Sequence, residues 1–262
     1  MYATERHDAI AAQLLETGRV SVAGLAEYFD VTTETVRRDL DALEAVGVLR
    51  RVHGGAVPAA RTSVAELSVA ERQTQHGEAK LAIAHAAMRL LPATFTGSIA
   101  LDAGTTSAAV AEQLALWTPS SPGDTITVIT NSVPIAAILQ SSDHIELHLL
   151  GGRVRGVTSA AVGTATVEQI GALRPDIAFI GTNGISAGFG LSTPDEYESA
   201  VKAAYVLAAR RAVVLADHTK HGLEALMRFA RLDEIDTLVT DRIPPADLAG
   251  ALDDADVEVV VA

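Results

Sequence analysis

Residues 32–40 read TTETVRRDL. Thr32 is placed to cap a helix, accepting from the backbone N–H groups of its first turn. Val36, Leu40 and then Leu43 follow at spacings of four and three, the apolar stripe of an amphipathic helix. A helical wheel sets Glu34, Thr35, Arg38, Asp41 and Ala42 on the opposite face, with Arg37 at its edge. Two adjacent arginines there are either a solvated surface or a grip on an anion. The flanking sequence decides between the two.

Upstream, residues 5–15 put Ile10, Leu14 and neighbouring alanines on one face, and Gly18 ends that helix. Ser21 can cap a short second helix through Leu25, Ala26 and Phe29, and Asp30-Val31 makes the turn into the third. Downstream, residues 47–57 read GVLRRVHGGAV: Gly47 stops the helix, a short strand follows, and His53-Gly54-Gly55 turns the chain. Helix, helix, turn, helix and hairpin make a winged helix-turn-helix. The third helix then enters the major groove, with Thr32, Thr33 and Thr35 near base edges and Arg37 and Arg38 on phosphates or guanines. Arg50, Arg51, His53 and Gly54 of the ribbon lie near the sugar-phosphate backbone. The alternative is a plain hairpin packing on its own domain.

The charge balance limits how such a surface can work. The chain has 262 residues, with 20 basic and 33 acidic ones, a formal charge of −13. Residues 1–57 hold six arginines against nine acids, and residues 81–262 hold eleven basic against twenty-one acidic residues. A basic spot on so acidic a protein gives weak non-specific attraction to DNA, which favours a small, symmetric, site-specific contact over coating. Helix-turn-helix proteins read two half-sites through a symmetric dimer, so a homodimer or homotetramer built through the larger domain is expected.

No apolar run is long enough to span a membrane and the first residues carry no signal-peptide pattern, so a cytoplasmic protein is expected. The absence of cysteine excludes disulfides and thiolate metal sites. His144 and His148 sit on a strand without further ligands nearby, and His76, His85, His218 and His221 have no metal spacing, so neither metal nor cofactor is expected.

Pro58 interrupts the pattern after the hairpin. Residues 1–57 are therefore read as the DNA-binding domain, 58–76 as a semi-flexible linker and 77–262 as a larger domain opening with a helix over 77–91. That domain repeats one device. Apolar β-rich runs end in small polar residues leading into helical patterns at 98–106, 127–132, 145–152, 177–184 and 213–222, and two more strands at 236–241 and 257–262 close the chain. The fold class is α/β, with a mainly parallel sheet covered on both faces. Ligands of such sheets bind at the carboxyl ends of the strands, where these loops fall.

In the loop Asp102-Ala103-Gly104-Thr105-Thr106 the glycine admits an anion to the backbone, and the threonines add hydroxyl donors at a helix N-terminus. Asn131 and Ser132, Gly152, and Asn183 within Gly181–Gly184 stand at the ends of the next strands. Only three lysines occur, at 80, 202 and 220. Lys220 follows Asp217 just after a strand and supplies the cation a phosphate needs. Asp195, Glu198 and Lys202, spaced three and four, share a helix face that can meet sugar hydroxyls. An exposed surface salt bridge is the alternative for that triplet.

The run T-V-R-R-D-L, here Thr35 to Leu40, followed by an apolar-Gly-apolar step and R-V-H-G-G-A, here Arg51 to Ala56, resembles the N-terminal signature of the DeoR family of bacterial transcriptional regulators. LDAGTT, TNS, GTNG, TPD–E–VK and AD-x-T-K-x-G resemble the sensor-domain motifs of the same regulators, so the resemblance covers nearly the whole chain. It implies a sensor domain resembling sugar-phosphate isomerases that binds phosphorylated sugars, and a non-enzymatic regulator, a repressor, of sugar uptake and catabolism genes. TNGIS-GFGLSTPDE-VK, with MYATER at the start, is most similar to actinobacterial regulators of fructose and other phosphotransferase-system sugars, which implies fructose 1-phosphate as effector. The reading from another class is a sugar-phosphate isomerase or deaminase using the acids near Asp195 or Asp217.

Overall fold

The computed structural model describes residues 3–17, 20–45, 48–52, 54–58, 66, 68–92, 94–121 and 123–262. Gly18, Gly47 and His53, and the side chain of Arg50, lie outside the described set. The chain divides into two compact units, Met1–Thr62 and Ser63–Ala262.

The first unit runs α1 (Ala3–Thr17), β1 (Val20–Ser21), α2 (Val22–Phe29), α3 (Thr33–Ala45), β2 (Leu49–Val52) and β3 (Gly55–Pro58). The apolar stripes close on one another: Ile10 and Leu14 of α1, Leu25 of α2 and Val36, Leu40 and Leu43 of α3 share one core with Leu49 and Ala56 of the wing. Both expected caps are made. The Ser21 hydroxyl accepts from the Gly24 N–H at 3.0 Å and Thr32 Oγ1 from the Thr35 N–H at 3.2 Å. Between the helices Asp30 turns the chain in the left-handed region (φ 52°).

The wing is a three-stranded antiparallel sheet in the order β1-β3-β2, with Ala56 opposite both Val20 and Arg51. Its Gly-Gly pair is a steric demand. Gly54 has φ +80°, and a Cβ on Gly55 would stand 2.0 Å from the Val20 carbonyl oxygen.

The second unit opens with α4 (Val69–Gln73), α5 (Gly77–Met88), β4 (Ser98–Leu101) and α6 (Thr105–Ala115). It continues with β5 (Ile126–Thr130), α7 (Val133–Leu139), β6 (Ile145–Leu149), β7 (Arg153–Arg155), β8 (Ala160–Val162) and α8 (Thr164–Gly171). There follow β9 (Ile177–Gly181), β10 (Gly184–Ser186), β11 (Gly190–Thr193), α9 (Glu196–Ala208), β12 (Ala212–Leu215), β13 (Met227–Ala230), β14 (Thr237–Thr240), α10 (Ala246–Asp254) and β15 (Glu258–Val261).

Seven strands pair in the order β15-β14-β12-β9-β4-β5-β6, parallel throughout. Alternate residues of one strand feed two cores, as the period of two requires. Ile177 and Phe179 of β9 pack with Ile83, Val110, Leu114 and Ile135 from α5, α6 and α7. Ala178 and Ile180 pack with Ile170, Tyr205, Leu248 and Leu252 from α8, α9 and α10. Helices thus cover both faces, and every residue of β9, β12 and β14 is buried. Each such large apolar side chain contributes about 1.5–3 kcal/mol.

Three features depart from the sequence reading. Residues 58–76, read as a linker, contain α4, closed by a capping box in which the Glu71 N–H donates to Ser68 Oγ (3.3 Å) and the Ser68 N–H to Glu71 Oε2 (2.9 Å). The Val69 N–H donates to the Val157 carbonyl at 2.9 Å, so α4 packs as part of the second unit. Helix α5 stops at Met88 rather than 91, because tighter i→i+3 bonds to Leu90 and Leu91 close its last turn ahead of Pro92. The antiparallel sheet β10-β11-β13 and the hairpin β7-β8, built of three- and four-residue strands, were too short to register as a pattern.

Candidate functional site

Helix α3 presents Thr33, Glu34, Arg37, Arg38 and Asp41 to solvent, while Thr35 is half-buried beneath Thr32. Arg37 pairs with Glu34 at 3.6 Å, both well exposed. Arg38 has neither a hydrogen bond nor an ion pair among the described residues, so its guanidinium is available. Arg51 differs from what its place in the ribbon suggests. Its Nη1 donates to the Arg37 carbonyl (3.2 Å) and to Asp41 Oδ1, and its backbone N–H to Glu44 Oε1 (2.7 Å). In this conformation Arg51 holds the wing against α3 instead of projecting outward.

Asp39, within the stretch that decided the fold, carried no role in the sequence reading. It faces inward, 5% exposed, and takes two hydrogen bonds from Arg6, Nε to Oδ2 at 2.5 Å and Nη2 to Oδ1 at 2.9 Å, with His7 Nε2 2.9 Å from Oδ1. Burial raises its pKa, but the bonds from Arg6 and His7 outweigh this and hold the carboxyl below the usual range. Asp39 therefore fixes α1 to the helix whose opposite face is exposed. The signal was Asp39's position three residues past Val36 and one before Leu40, on the buried stripe rather than off it.

In the second unit the polar loops gather at the carboxyl edge of the sheet. Asp102, buried after β4, accepts from the Ser107 hydroxyl, the Gly181 N–H (3.1 Å) and the Lys202 ammonium. Lys202 reaches there from α9 and also donates to the Gly181 carbonyl at 2.9 Å. Beside this pair lies a small pocket lined by Ala103, Asn131, Ala160, Glu198 and Val201. Helix α6 begins at Gly104 with no side-chain cap. Gly104 has extended backbone (φ −165°), and a Cβ there would meet nothing nearer than 3.5 Å, so neither conformation nor packing requires a glycine. Thr105 and Thr106 occupy the first turn.

Several singled-out residues are engaged within the fold. Asn131 donates to the Ala161 carbonyl (2.8 Å) and accepts from the Tyr205 hydroxyl (3.3 Å), bonds that fix the orientation of its amide in the pocket wall. Ser132 caps α7 through the Ile135 N–H. Asn183 Oδ1 accepts from Thr193 at 3.0 Å. Gly152 is a packing glycine, since a Cβ would lie 2.1 Å from Thr166 Oγ1. Asp195 is the N-cap of α9 and not part of its face, with one oxygen accepting from the N–H groups of Tyr197 and Glu198 (3.0 Å each).

The cation that faces Asp195 and Glu198 is one the sequence reading missed. Arg155, at the end of β7, lies 3.2 Å from Asp195, 3.4 Å from Glu198 and 2.6 Å from Glu66. Burial pushes the Glu198 carboxyl up, against the pull of Lys202 and the Thr158 hydroxyl. Two residues away and on the same face of β7, Arg153 stacks over the Tyr197 ring at 4.8 Å. The hairpin thus lays two arginines across the first turn of α9, a contact that spans 43 residues of sequence between Arg155 and Glu198.

Lys220 sits in a different group, after β12. Its ammonium is 3.9 Å from buried Asp217, with His76, Lys80, His218 and His221 around the same carboxylate. Burial raises the Asp217 pKa, but Lys220 and the Thr219 bonds outweigh it and leave the carboxyl low. His218 Nδ1 is held 2.7 Å from Asp241, and His221 Nε2 lies 3.0 Å from the Thr240 hydroxyl. Among the described residues the His148 ring meets Glu146, at 3.3 Å. Among the described residues no cluster has the make-up of a metal site.

Both units match one family. The DeoR-like helix-turn-helix domain matches residues 6–62, and the DeoR C terminal sensor domain matches residues 75–242. The chain belongs to the DeoR family of transcriptional regulators. It is 36% identical to the HTH-type transcriptional regulator GlpR of Haloferax volcanii, over 99% of this chain and 98% of that one. To the glycerol-3-phosphate regulon repressor of Escherichia coli (strain K12) it is 30% identical, over 99% of each chain. Ribose 5-phosphate isomerase A of Methanocaldococcus jannaschii superposes on 56% of this chain and 55% of its own, at 20% identity and a TM-score of 0.40. In this DeoR-family chain, then, α3 and the wing form a DNA-binding domain, and the parallel sheet carries the sensor.

Proposed function

We propose that this DeoR-family regulator represses genes of sugar uptake or catabolism and is released from its operator by a phosphorylated sugar. DNA binding is assigned to Thr32, Thr33, Thr35, Arg37 and Arg38 of α3, with Arg50, Arg51, His53 and Gly54 of the wing on the backbone. Because one recognition helix with few basic neighbours grips weakly, two copies act together, as a homodimer or homotetramer joined through the sensor domain.

The observation that carries the effector reading is the start of α6. An uncapped helix N-terminus, with a glycine that neither conformation nor packing requires, opens beside a pocket of charged side chains at the carboxyl edge of a parallel sheet. A phosphate there meets the N–H groups and hydroxyls of Thr105 and Thr106, with Lys220 as the cation arriving from β12. Asp195, Glu198 and Lys202 suit the sugar hydroxyls. Asp102, Asn131, Ser132, Gly152, Asn183 and Asp217 shape the site from within the fold. Repression and a phosphorylated effector agree with the name of the glycerol-3-phosphate regulon repressor. Fructose 1-phosphate, implied by the resemblance to fructose regulators, is the first candidate.

The test is operator binding in gel shifts titrated with a panel of sugar phosphates, including fructose 1-phosphate, fructose 1,6-bisphosphate and glycerol 3-phosphate, with turnover followed in parallel. Release by one of them without turnover is expected. Indifference to all of them ends the effector reading, and turnover restores the isomerase alternative. Light scattering at micromolar protein should show no monomer.

A further inference from the structure

One edge of the sensor sheet is bare. Strand β15 ends the order β15-β14-β12-β9-β4-β5-β6, and no described strand pairs with its outer side. The Glu258 N–H donates to the Asp236 carbonyl at 3.0 Å and the Ala262 N–H to the Thr240 carbonyl at 2.9 Å, so this set of alternate positions turns its backbone groups inward to β14. The N–H and C=O groups of Val259 and Val261 therefore face outward. Sheets guard such an edge with lysine, proline or a bulge. Strand β15 reads Glu-Val-Val-Val in unbroken register and has none of them. The opposite edge strand, β6, carries exposed Glu146 and His148 instead.

Beside the bare edge runs an apolar groove of about 270 Å³, lined by Ile243, Pro244 and Ala249 on one side and by Val257, Val259 and Val261 on the other. Ile243 is 79% exposed, Val261 43% and Val259 36%. Val260 points to the other face, toward the core beneath α5 and α6. The two ends of the edge differ in charge. Asp253, Asp254 and Asp256 stand exposed where α10 leads into β15. Past the end of β14 Arg242 stands exposed, with neither a hydrogen bond nor an ion pair among the described residues, while its neighbour Asp241 is tied to His218.

We infer that this edge is where two copies of the chain join: β15 pairs antiparallel with the partner's β15 about a two-fold axis through Val260. Val259 then faces the partner's Val261, and each such pair exchanges both of its backbone bonds, while Val260 faces the partner's Val260 as a non-hydrogen-bonded pair. The outward-facing backbone groups find partners, and Val259 and Val261 of both copies meet on the α10 face and cover the groove. Charge selects the occupant. An antiparallel copy lays the Arg242 end of each chain beside the Asp253-Asp254 end of the other, whereas a parallel one would set like ends together. The inference rests on the reading of an oligomer joined through the sensor domain, and names the surface that joins it.

Two variants of the full-length protein test it. The chain has no cysteine, so Val260→Cys places a single thiol on the two-fold axis, where facing Cα atoms lie about 4.5 Å apart, within disulfide reach. Mild oxidation should cross-link it into a dimer on a non-reducing gel, while Leu116→Cys, on an exposed position away from the edge, should stay uncross-linked. Val259→Lys with Val261→Lys puts charge on exposed edge positions and should halve the mass seen by light scattering at micromolar protein, with the fold checked by circular dichroism. An oligomeric wild type whose mass the folded lysine pair leaves unchanged, or a Val260→Cys protein that cross-links no more than Leu116→Cys, overturns the edge pairing and leaves the oligomer reading standing. A monomeric wild type removes both and hands the edge to a different protein.

Discussion

Asp39 of α3 and Arg6 of α1 form a two-pronged ion pair at 2.5 and 2.9 Å, across 33 residues of sequence and with both side chains under 10% exposed. It locks the recognition helix from behind, opposite the exposed arginines. Asp39→Ala takes away the buried carboxylate to which Arg6 donates twice and which His7 meets, and should cost about 3 kcal/mol. Calorimetry on the intact protein should show the loss in the DNA-binding domain alone, while sugar-phosphate binding persists. A melting profile like that of the wild type would mean the pair contributes nothing.

Arg38 and Arg51 should separate on mutation. Arg38→Ala removes an available guanidinium from the exposed face of α3 and should weaken operator binding about tenfold to a hundredfold without changing the fold. Arg51 must first leave Asp41 before it meets phosphate, so Asp41→Ala should strengthen binding to random DNA by freeing Arg51 and removing a like charge. Gel shifts at several salt concentrations measure both. Wild-type operator affinity in Arg38→Ala would remove α3 from the groove.

Lys202 and Asp102 face each other in the sensor core. Lys202→Met strands a buried carboxylate and should destabilise the sensor domain by about 3 kcal/mol. Adding Asp102→Asn should recover part of that loss, so the double variant is more stable than the sum of the singles predicts. Additive losses in denaturant unfolding would show that the two side chains do not act as a pair.

Lys220→Ala should leave operator affinity near normal and blunt the response to a sugar phosphate. An effector coupling of about 1–3 kcal/mol moves operator affinity roughly 5- to 150-fold, and the mutant should lose most of that range. An unchanged response would take Lys220 out of the effector site.

The histidines around Asp217 set a pH dependence. Burial pushes the pKa of His76 and His221 down, against the opposing pull of Asp217 and Asp241 and with that of Lys80, His218 and Lys220. Unfolded imidazoles titrate near about 6.5, so below that pH the unfolded chain binds more protons and stability falls until the folded-state pKa is passed. Glu198, raised by burial, acts with the opposite sign. The depressed carboxyls of Asp39 and Asp217 lose their contribution only below about pH 4. The sensor domain should therefore melt lower at pH 5.5 than at pH 7.5, and His76→Gln with His221→Gln should flatten the difference. A double variant with the wild-type slope would assign the dependence elsewhere.

The sequence by itself determined the elements. Caps at Ser21 and Thr32, the stripe Val36-Leu40-Leu43 and apolar strands such as residues 177–181 are local patterns, set by helix and strand periods and by the first-turn N–H groups, so they are legible without knowing what lies opposite. The carboxyl-edge loops followed from the same patterns through the geometry of parallel sheets. What only the tertiary structure decided is which charged groups meet. Asp39 with Arg6, Asp102 with Lys202 and Arg155 with Glu66 are separated by 33, 100 and 89 residues, and no period links them. Their pairing is fixed by how strands and helices stack, and in a buried setting the choice of partner decides whether a side chain is free for a ligand. That is why Arg51, Asn131 and Gly152 read as site residues in sequence and are held within the fold, while Arg155 passed unnoticed on a three-residue strand.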